Sequence, residues 1–400
     1  MSAIREAGRG QDGHSALAAF SRHLFGHLPR ADQQRWGHLY LHGLLATPGK
    51  KSLRRMAETV TSSPTTASQS LQQFVNASPW GWEAPRAELL RWADQRMQTH
   101  AWTLAPTVLP KRGDHSVGVH RRFVREQGRT VNCQLGVAVF LAGGDGHVPV
   151  DWRLHLPERW ASDEVVRRRA RIPEQARPQP LWSQALELVE SLAARPGVVP
   201  APVVADLTTV TDVRPLVERL AGRGQGFVLA VDGQLPLTPS LRAARPVRDW
   251  AAPVSARQLL LQGAARHPDV AMMPGPDGRP RRLQIASSPA EIPGLRPAGG
   301  RASFPGRVFA TWDPARQRLG RIWLTNLTDR RMSELLGLTG LHSGSLATVT
   351  TLGERYGLLD FEGRSFPGWH RHMTLVSAAY AYALLSGAPA VSSVLWREAA

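Results

Sequence analysis

From about residue 15 to residue 98, apolar positions recur at helical spacing. Leu17, Phe20 and Leu24 form one stripe, and Leu39 and Leu44 follow in RWGHLYLHGLL. Leu53, Met56, Ala57 and Val60 line one face of KKSLRRMAETV, where Ser62, Ser63 and Pro64 break the pattern. Thr66 or Ser68 then caps a second helix that carries Leu71, Phe74 and Val75. Two short helices about a tight polar turn fit a helix-turn-helix reader or an ordinary helical hairpin, and the spacing leaves both open. Trp36, Trp80, Trp82, Trp92 and Trp102 crowd this region and its boundary, where packing between helices explains them better than base stacking.

Beyond residue 100 the period changes. WTLAPTVL, SVGVHRRFV and NCQLGVAVFLA read as successive strands joined by short turns at KRGD and EQGR, and VPVDWRLHL adds another. SDEVVRRRARI and LWSQALELVESLA read as helices, VVPAPVVAD as a buried strand, VRPLVERLAGR as a helix and GFVLAVD as a strand. A meander followed by strand, helix and strand is the order of a ribonuclease-H-like core, so the predicted class is α/β. Residues 233–330 are rich in Pro, Arg and Gly, which predicts a β-rich or irregular insertion with a mobile loop; strands resume in RVFATWD and GRIWLTNL. A closing helical stretch ends in HMTLVSAAYAYALL, apolar on most sides and therefore read as buried. The expected organisation is a helical N-terminal domain over 1–98, the first part of the core over 99–232, the insertion over 233–330 and a C-terminal helical part of the core over 331–400.

Composition narrows the function classes. Forty-two per cent hydrophobic and 20% charged residues in a chain of 400 exclude a disordered tail or a small stapled scaffold. No stretch reaches the roughly 20 apolar residues of a membrane span, and the first residues lack a secretory apolar run, so a cytoplasmic protein without membrane contact is expected. The single cysteine, Cys133, lies in an apolar strand and reads as buried and inert; any metal would need oxygen or imidazole ligands. A net charge of +17 favours a polyanionic partner such as DNA. Only three of the 49 basic residues are lysines, however, and such an arginine skew also follows from the base composition of coding DNA.

The segments PKRGDHSVGVHRRFV, NCQLGVAVFLA, DWRLHLPERWASD, VVAD and FEGRSFPGWHRHMTLV, in this order and with KKSLRRMAE and LQQFVNASPW before them, resemble the insertion-sequence 701 family of DDE transposases. The resemblance covers about residues 36 to 385. It implies a ribonuclease-H-like core, a β-rich insertion before the last catalytic acid, and DNA cleavage and joining with Mg2+ at three converging carboxylates. Such chemistry uses two ions about 3.5–4 Å apart, held by hard oxygen ligands. Residue by residue, the resemblance assigns the first acid to the pair Ala105 and Pro106, the second to Asp206 and the third to Leu346. Only Asp206 retains a carboxylate. No cofactor is then expected, Mg2+ entering only if other acids rebuild the triad; Glu354 is about 12 Å along the helix from position 346 and too distant.

The residues expected at DNA are Lys50, Lys51, Arg54 and Arg55 beside the paired helices, and Lys111, Arg112 and His115 in the turn after the first strand. VRRRAR at 166–171 is a solvated helical face or a phosphate contact. His370 and His372 face different ways on a helix, which excludes a shared metal and points to structural partners. Three functions compete. The first is a DNA-binding transposase relative that no longer cuts, a pseudoenzyme. The second is a scaffold recruited as a metal-independent enzyme on a small molecule of specialised metabolism, and the third is an active DDE transposase with relocated acids. The oligomeric state is not encoded in any motif.

Overall fold

The computed structural model describes residues 2–239, 252–264, 268–275, 279–293 and 305–387. Five helices open the chain: α1 Ser2–Phe25, α2 Ala31–Ala46, α3 Leu53–Val60, α4 Pro64–Asn76 and α5 Glu83–Asp94. Then follow β1 Ala101–Pro110, β2 His120–Val124, β3 Arg129–Gly143, β4 Gly146–Leu154, α6 Glu158–Ser162, α7 Glu164–Ala170 and α8 Leu181–Ala193. β5 Val203–Ala205, α9 Arg214–Gly222 and β6 Phe227–Ala230 lead into β7 Pro236–Pro239, β8 Val254–Ser255 and α10 Ala256–Ala264. Next come β9 Asp269–Pro274, β10 Pro280–Glu291, β11 Gly306–Asp313, β12 Arg318–Leu319 and β13 Trp323–Thr325, and two long helices, α11 Met332–Arg355 and α12 Phe366–Leu385, end the described chain. The fold is α/β, a ribonuclease-H-like core behind a helical N-terminus and interrupted by a β-rich insertion. Among the described residues, no helix is long and apolar enough to cross a membrane.

The chain divides into two compact units. The first holds Met1–Thr99, Pro106–Pro180 and Ser345–Ala400; the second holds His100–Ala105 and Leu181–Gly344. Within the first, β3 pairs antiparallel with β2 and with β4. The pairing with β4 brings a bulge at Val139 and Phe140. α12 is buried along nearly all of its length, as its apolar sequence predicts. Gly136 gives Trp369 its place: a Cβ there would stand 3.2 Å from the indole. Trp152 meets Trp369 edge to face and donates its indole N–H to Ser377 Oγ at 2.9 Å.

Two arginines are buried in this unit. Arg86, on α5, pairs with Asp151 and donates to Trp152 O at 3.0 Å, His370 O at 2.9 Å and Thr374 Oγ1 at 2.8 Å. Arg371 donates twice to Trp80 O, at 2.9 and 2.7 Å, and to Val75 O at 3.2 Å. A guanidinium out of water is tolerable only with its donors satisfied, and these carbonyls are what keep the charge affordable. His370 and His372 have the structural partners expected of them. His372 Nδ1 lies 3.0 Å from the Tyr40 hydroxyl and Nε2 lies 2.9 Å from Gly357 O. That geometry suits a neutral ring donating from Nε2.

In the second unit, β5 lies parallel to β1 and to β6, in the register Trp102↔Val203 and Val203↔Phe227. β13 pairs antiparallel with β6, β11 with β13 and β10 with β11, so the insertion is mainly an antiparallel sheet, with α10 beside it. Ala101, Val204, Val228, Ile285, Phe309 and Leu335 form the core. Segments 240–251, 265–267, 276–278 and 294–304 of the insertion, where the sequence predicts a mobile loop, lie outside the described residues.

Two local expectations differ from what is found. SVGV does not begin a strand: Gly118 takes φ +76° and the Val119 N–H turns back to Ser116 O at 3.1 Å, so β2 starts at His120. Pro64 does not separate the paired helices but starts the second, with Ser63 at the N-cap. A proline at the first helical position loses nothing, because its missing N–H has no partner inside the helix. Thr66 and Ser68 therefore lie within α4 rather than capping it.

Two stability outcomes follow for the first unit. Arg86→Ala leaves Asp151 with Arg153 alone and takes the guanidinium donors from the buried Trp152 and His370 carbonyls, and should cost about 1–3 kcal/mol in urea unfolding. Burial pushes the His372 pKa down to about 3 from an ordinary 6.5. Its folded value lies below the unfolded one, so the stabilisation is complete above the unfolded pKa and is lost as pH falls towards 3. Between pH 6.5 and 4, the His372→Asn variant should therefore lose stability less steeply than the parent, by about 1.4 kcal/mol per pH unit.

Candidate functional site

The valine-rich run of β5 is buried between two parallel neighbours, which fixes where the chain must leave the sheet. Leu104 stands opposite Ala205, so Ala105, inside β1, comes next to the point where the chain leaves β5 at Asp206, at the carboxyl end of that strand. In an open α/β sheet that end is where side chains are presented to ligands. Ala105 is fully buried and brings only a methyl group.

Both oxygens of Asp206 are engaged. Oδ1 accepts from Thr208 Oγ1 at 2.7 Å and from the Thr208 N–H at 3.2 Å, closing a local turn. Oδ2 lies 2.8 Å from Arg321 Nε, and Arg321 also donates to Thr208 Oγ1 at 3.3 Å. The Asp206 N–H donates to His342 Nε2 at 3.2 Å. Burial pushes the His342 pKa down, while the Asp206 charge and a backbone hydrogen bond to Leu104 act the other way. The imidazole thus braces the ends of β1 and β5 as a neutral ring. Thr208, Arg321 and His342 were not legible as partners of Asp206. Only the short Asp-x-Thr spacing signals the turn; Arg321 and His342 come from 115 and 136 residues farther along.

Magnesium needs several hard oxygen ligands from converging carboxylates and water. Beside Asp206 stand a methyl group, a threonine hydroxyl already donating to the carboxylate, an imidazole and a guanidinium, a set that does not fit such an ion. α11 carries no acid between Glu334 and Glu354. Its residue at the end of β5 is His342, one turn before Leu346. Leu346 and Pro106 belong to the first unit, and Leu346 is 40% exposed. Among the described residues, no three His, Cys, Asp or Glu side chains are grouped as a metal would require.

The basic residues expected at DNA divide sharply. All three lysines gather on one short segment of the first unit. Lys50 pairs with Glu362 at 3.5 Å, the Lys51 N–H donates to Asp360 Oδ2 at 2.7 Å, and Lys111 Nζ donates to Phe361 O at 2.8 Å. The Lys51 ammonium is buried against Thr47 O. Burial pushes Lys111 down to about 8. Arg54 pairs with Glu58 at 2.9 Å along an exposed helix, and Arg55 donates to Pro48 O at 3.0 Å. Arg112 and His115 are exposed, His115 lying 3.5 Å from Asp114. Lys51 and Lys111 thus hold loops, whereas Arg54, Arg112 and His115 face solvent.

A cavity of about 680 Å³ lies in the second unit at the other end of the strands. His100, Ala201, Pro202 and Gly226, which line it, precede β1, β5 and β6, whereas Asp206 follows β5. Comparison with known proteins places the chain in a family. No curated protein sequence matches the chain. The family model described as DDE superfamily endonuclease matches residues 23–288, from α1 through β5 and β6 into β10. That match takes in two thirds of the sequence together with the strands that carry Ala105 and Asp206, and the chain therefore belongs to the DDE superfamily endonucleases.

Proposed function

We propose that this protein is a transposase-derived DNA-binding protein, resembling in its motifs the insertion-sequence 701 type, that has lost strand cleavage. The observation that carries the reading is the state of Asp206: its carboxylate is bound on one oxygen by Arg321 and on the other by Thr208. A cutting centre needs that charge for cations. A guanidinium 2.8 Å away already balances it, and the neighbouring strand offers Ala105 where a second acid would have to stand. Recruiting Mg2+ would require breaking this ion pair and supplying two more carboxylates. No step of cleavage is therefore assigned to this chain.

Binding without cutting is supported by charge and family together. The net charge is +17, and DDE endonucleases act on DNA, so nucleic acid is the natural polyanion. Of the other readings, enzymatic use of the vacated cleft finds no support in the 680 Å³ cavity, which lies at the far ends of the strands. Exposed arginines such as Arg112 and Arg54 remain available for phosphates, whereas Lys51 and Lys111 contribute only through the loops they hold.

Incubation of the full chain with supercoiled plasmid and Mg2+ or Mn2+ should give no nicking above a metal-free control, while gel shifts at low salt show retention that fades as salt rises. Metal-dependent nicking that disappears in Asp206→Ala would overturn the proposal. Absence of any salt-sensitive retention at about 50 mM salt would remove its DNA-binding half.

A further inference from the structure

In the first unit a cavity of about 300 Å³ collects residues from four separate stretches of sequence: the turn after β1, the start of α6, α7 and the FEGRS segment. Three guanidiniums line it, those of Arg159, Arg169 and Arg364. Arg159 is committed in part, donating to Val119 O and lying over the Trp160 ring, 5.4 Å from its centre. Arg169 and Arg364 are exposed, and among the described residues their side chains have no hydrogen-bond or ion-pair partner. Two exposed guanidiniums without a side-chain partner border one cavity, so neither has a bond to give up before both meet an anion there.

The walls hold these groups firmly. Trp160 is buried and donates its indole N–H to Val119 O at 2.9 Å. The Val117 N–H donates to Arg364 O at 3.2 Å, and Arg171 donates to Ser365 Oγ at 3.0 Å, tying the end of α7 to the segment that bears Arg364. Gly363 has no room for a Cβ, which would meet Asn76 and the Phe361 ring, so the backbone entering Arg364 has one path. Two carboxylates also border the cavity, and each is weakened as a competitor. Asp114 is 69% exposed and lies beside His115, and Asp163 Oδ1 already accepts from the Val165 and Val166 N–H groups at 2.8 and 3.1 Å.

We propose that this cavity is a phosphate-binding site, gripping a phosphate ester between Arg169 and Arg364. Its expected source is the backbone of a nucleic-acid strand, an assignment that rests on the DNA-binding function proposed above. The cavity is sized for one phosphate and its sugar rather than for a duplex groove. The arginine fork matches phosphate oxygens in pairs, which a scattered basic surface does not offer.

The test uses the full chain, the double variant Arg169→Ala/Arg364→Ala, and a control of equal charge loss, Arg316→Ala/Arg318→Ala, on exposed positions of the second unit. Binding of a labelled short duplex is followed across salt concentrations, and thymidine 5′-monophosphate and inorganic phosphate are titrated calorimetrically. The double variant should bind the duplex about tenfold more weakly, and its log–log salt slope should be smaller by about 1, with the control nearly unchanged in slope. If no protein binds the duplex but thymidine monophosphate binds the parent and not the double variant, the phosphate site stands and the DNA function falls. Equal behaviour of parent and double variant with every probe overturns the site, as does an equal loss in the control. Matching melting temperatures for all three proteins show that exposed side chains, not the fold, were changed.

Discussion

A three-residue strand enclosed by parallel neighbours on both sides sets the constraint on which the functional argument rests. β5 is buried throughout, so its chain leaves the sheet abruptly at Asp206, and the polar groups freed by that departure must be satisfied locally. They are: the Asp206 N–H goes to His342, and its carboxylate takes the Thr208 N–H and hydroxyl. Arg321 completes the shell. Asp206 thus anchors a turn and a salt link. Only one further feature is needed to make that role stable, the absence of a second carboxylate on β1, because a neighbouring negative charge would compete for Arg321.

Much of the scaffold could be read from the chain because it depends on burial, which composition records directly. The apolar runs of β3 and β4, the valines of β5 and the all-round apolar face of α12 each occur where the sequence predicts them. What escaped was chemistry decided by contacts distant in sequence. Arg86 and Arg371 look like surface charges in their helices, yet each is buried because carbonyls from distant elements converge on it. SVGV has strand composition, but a glycine in the left-handed region at position 118 turns it. The candidate acid on α11 shows the same limit. Counting residues leads to Leu346, whereas the helix meets β5 through His342, one turn earlier, and no pattern in LHSGS announces that contact.

The arginine excess has a corresponding double meaning. Some guanidiniums serve as internal scaffolding: Arg167 reaches Pro173 O and Ala176 O at 2.6 and 3.0 Å, and Arg307 reaches Thr328 O at 3.0 Å. An arginine is suited to this because its planar fork satisfies several carbonyls at once and keeps its charge when partly desolvated. The formal charge therefore overstates what a polyanion can meet at short range, although the long-range field is still set by the full sum. The lysines show the same point: Lys50 pairs with Glu362, the Lys111 ammonium donates to Phe361 O and the Lys51 ammonium to Thr47 O.

On the function proposed here, loss of acids and retention of arginines act in the same direction on phosphate. In a metal-dependent nuclease, clustered carboxylates repel the nucleic-acid backbone until cations neutralise them, so approach and cleavage share a requirement for metal. Replacing such acids with Ala105 and a neutral helix face, and pairing the remaining one with Arg321, removes that repulsion permanently. On the function proposed here, binding should then depend on monovalent salt through counterion release and hardly at all on divalent ions beyond their ionic strength. The changes that end catalysis would thus leave a surface on which DNA settles more readily. On that proposal, scattered damage alone gives no reason for an alanine on β1 and a guanidinium on Asp206 to meet beside the same strand.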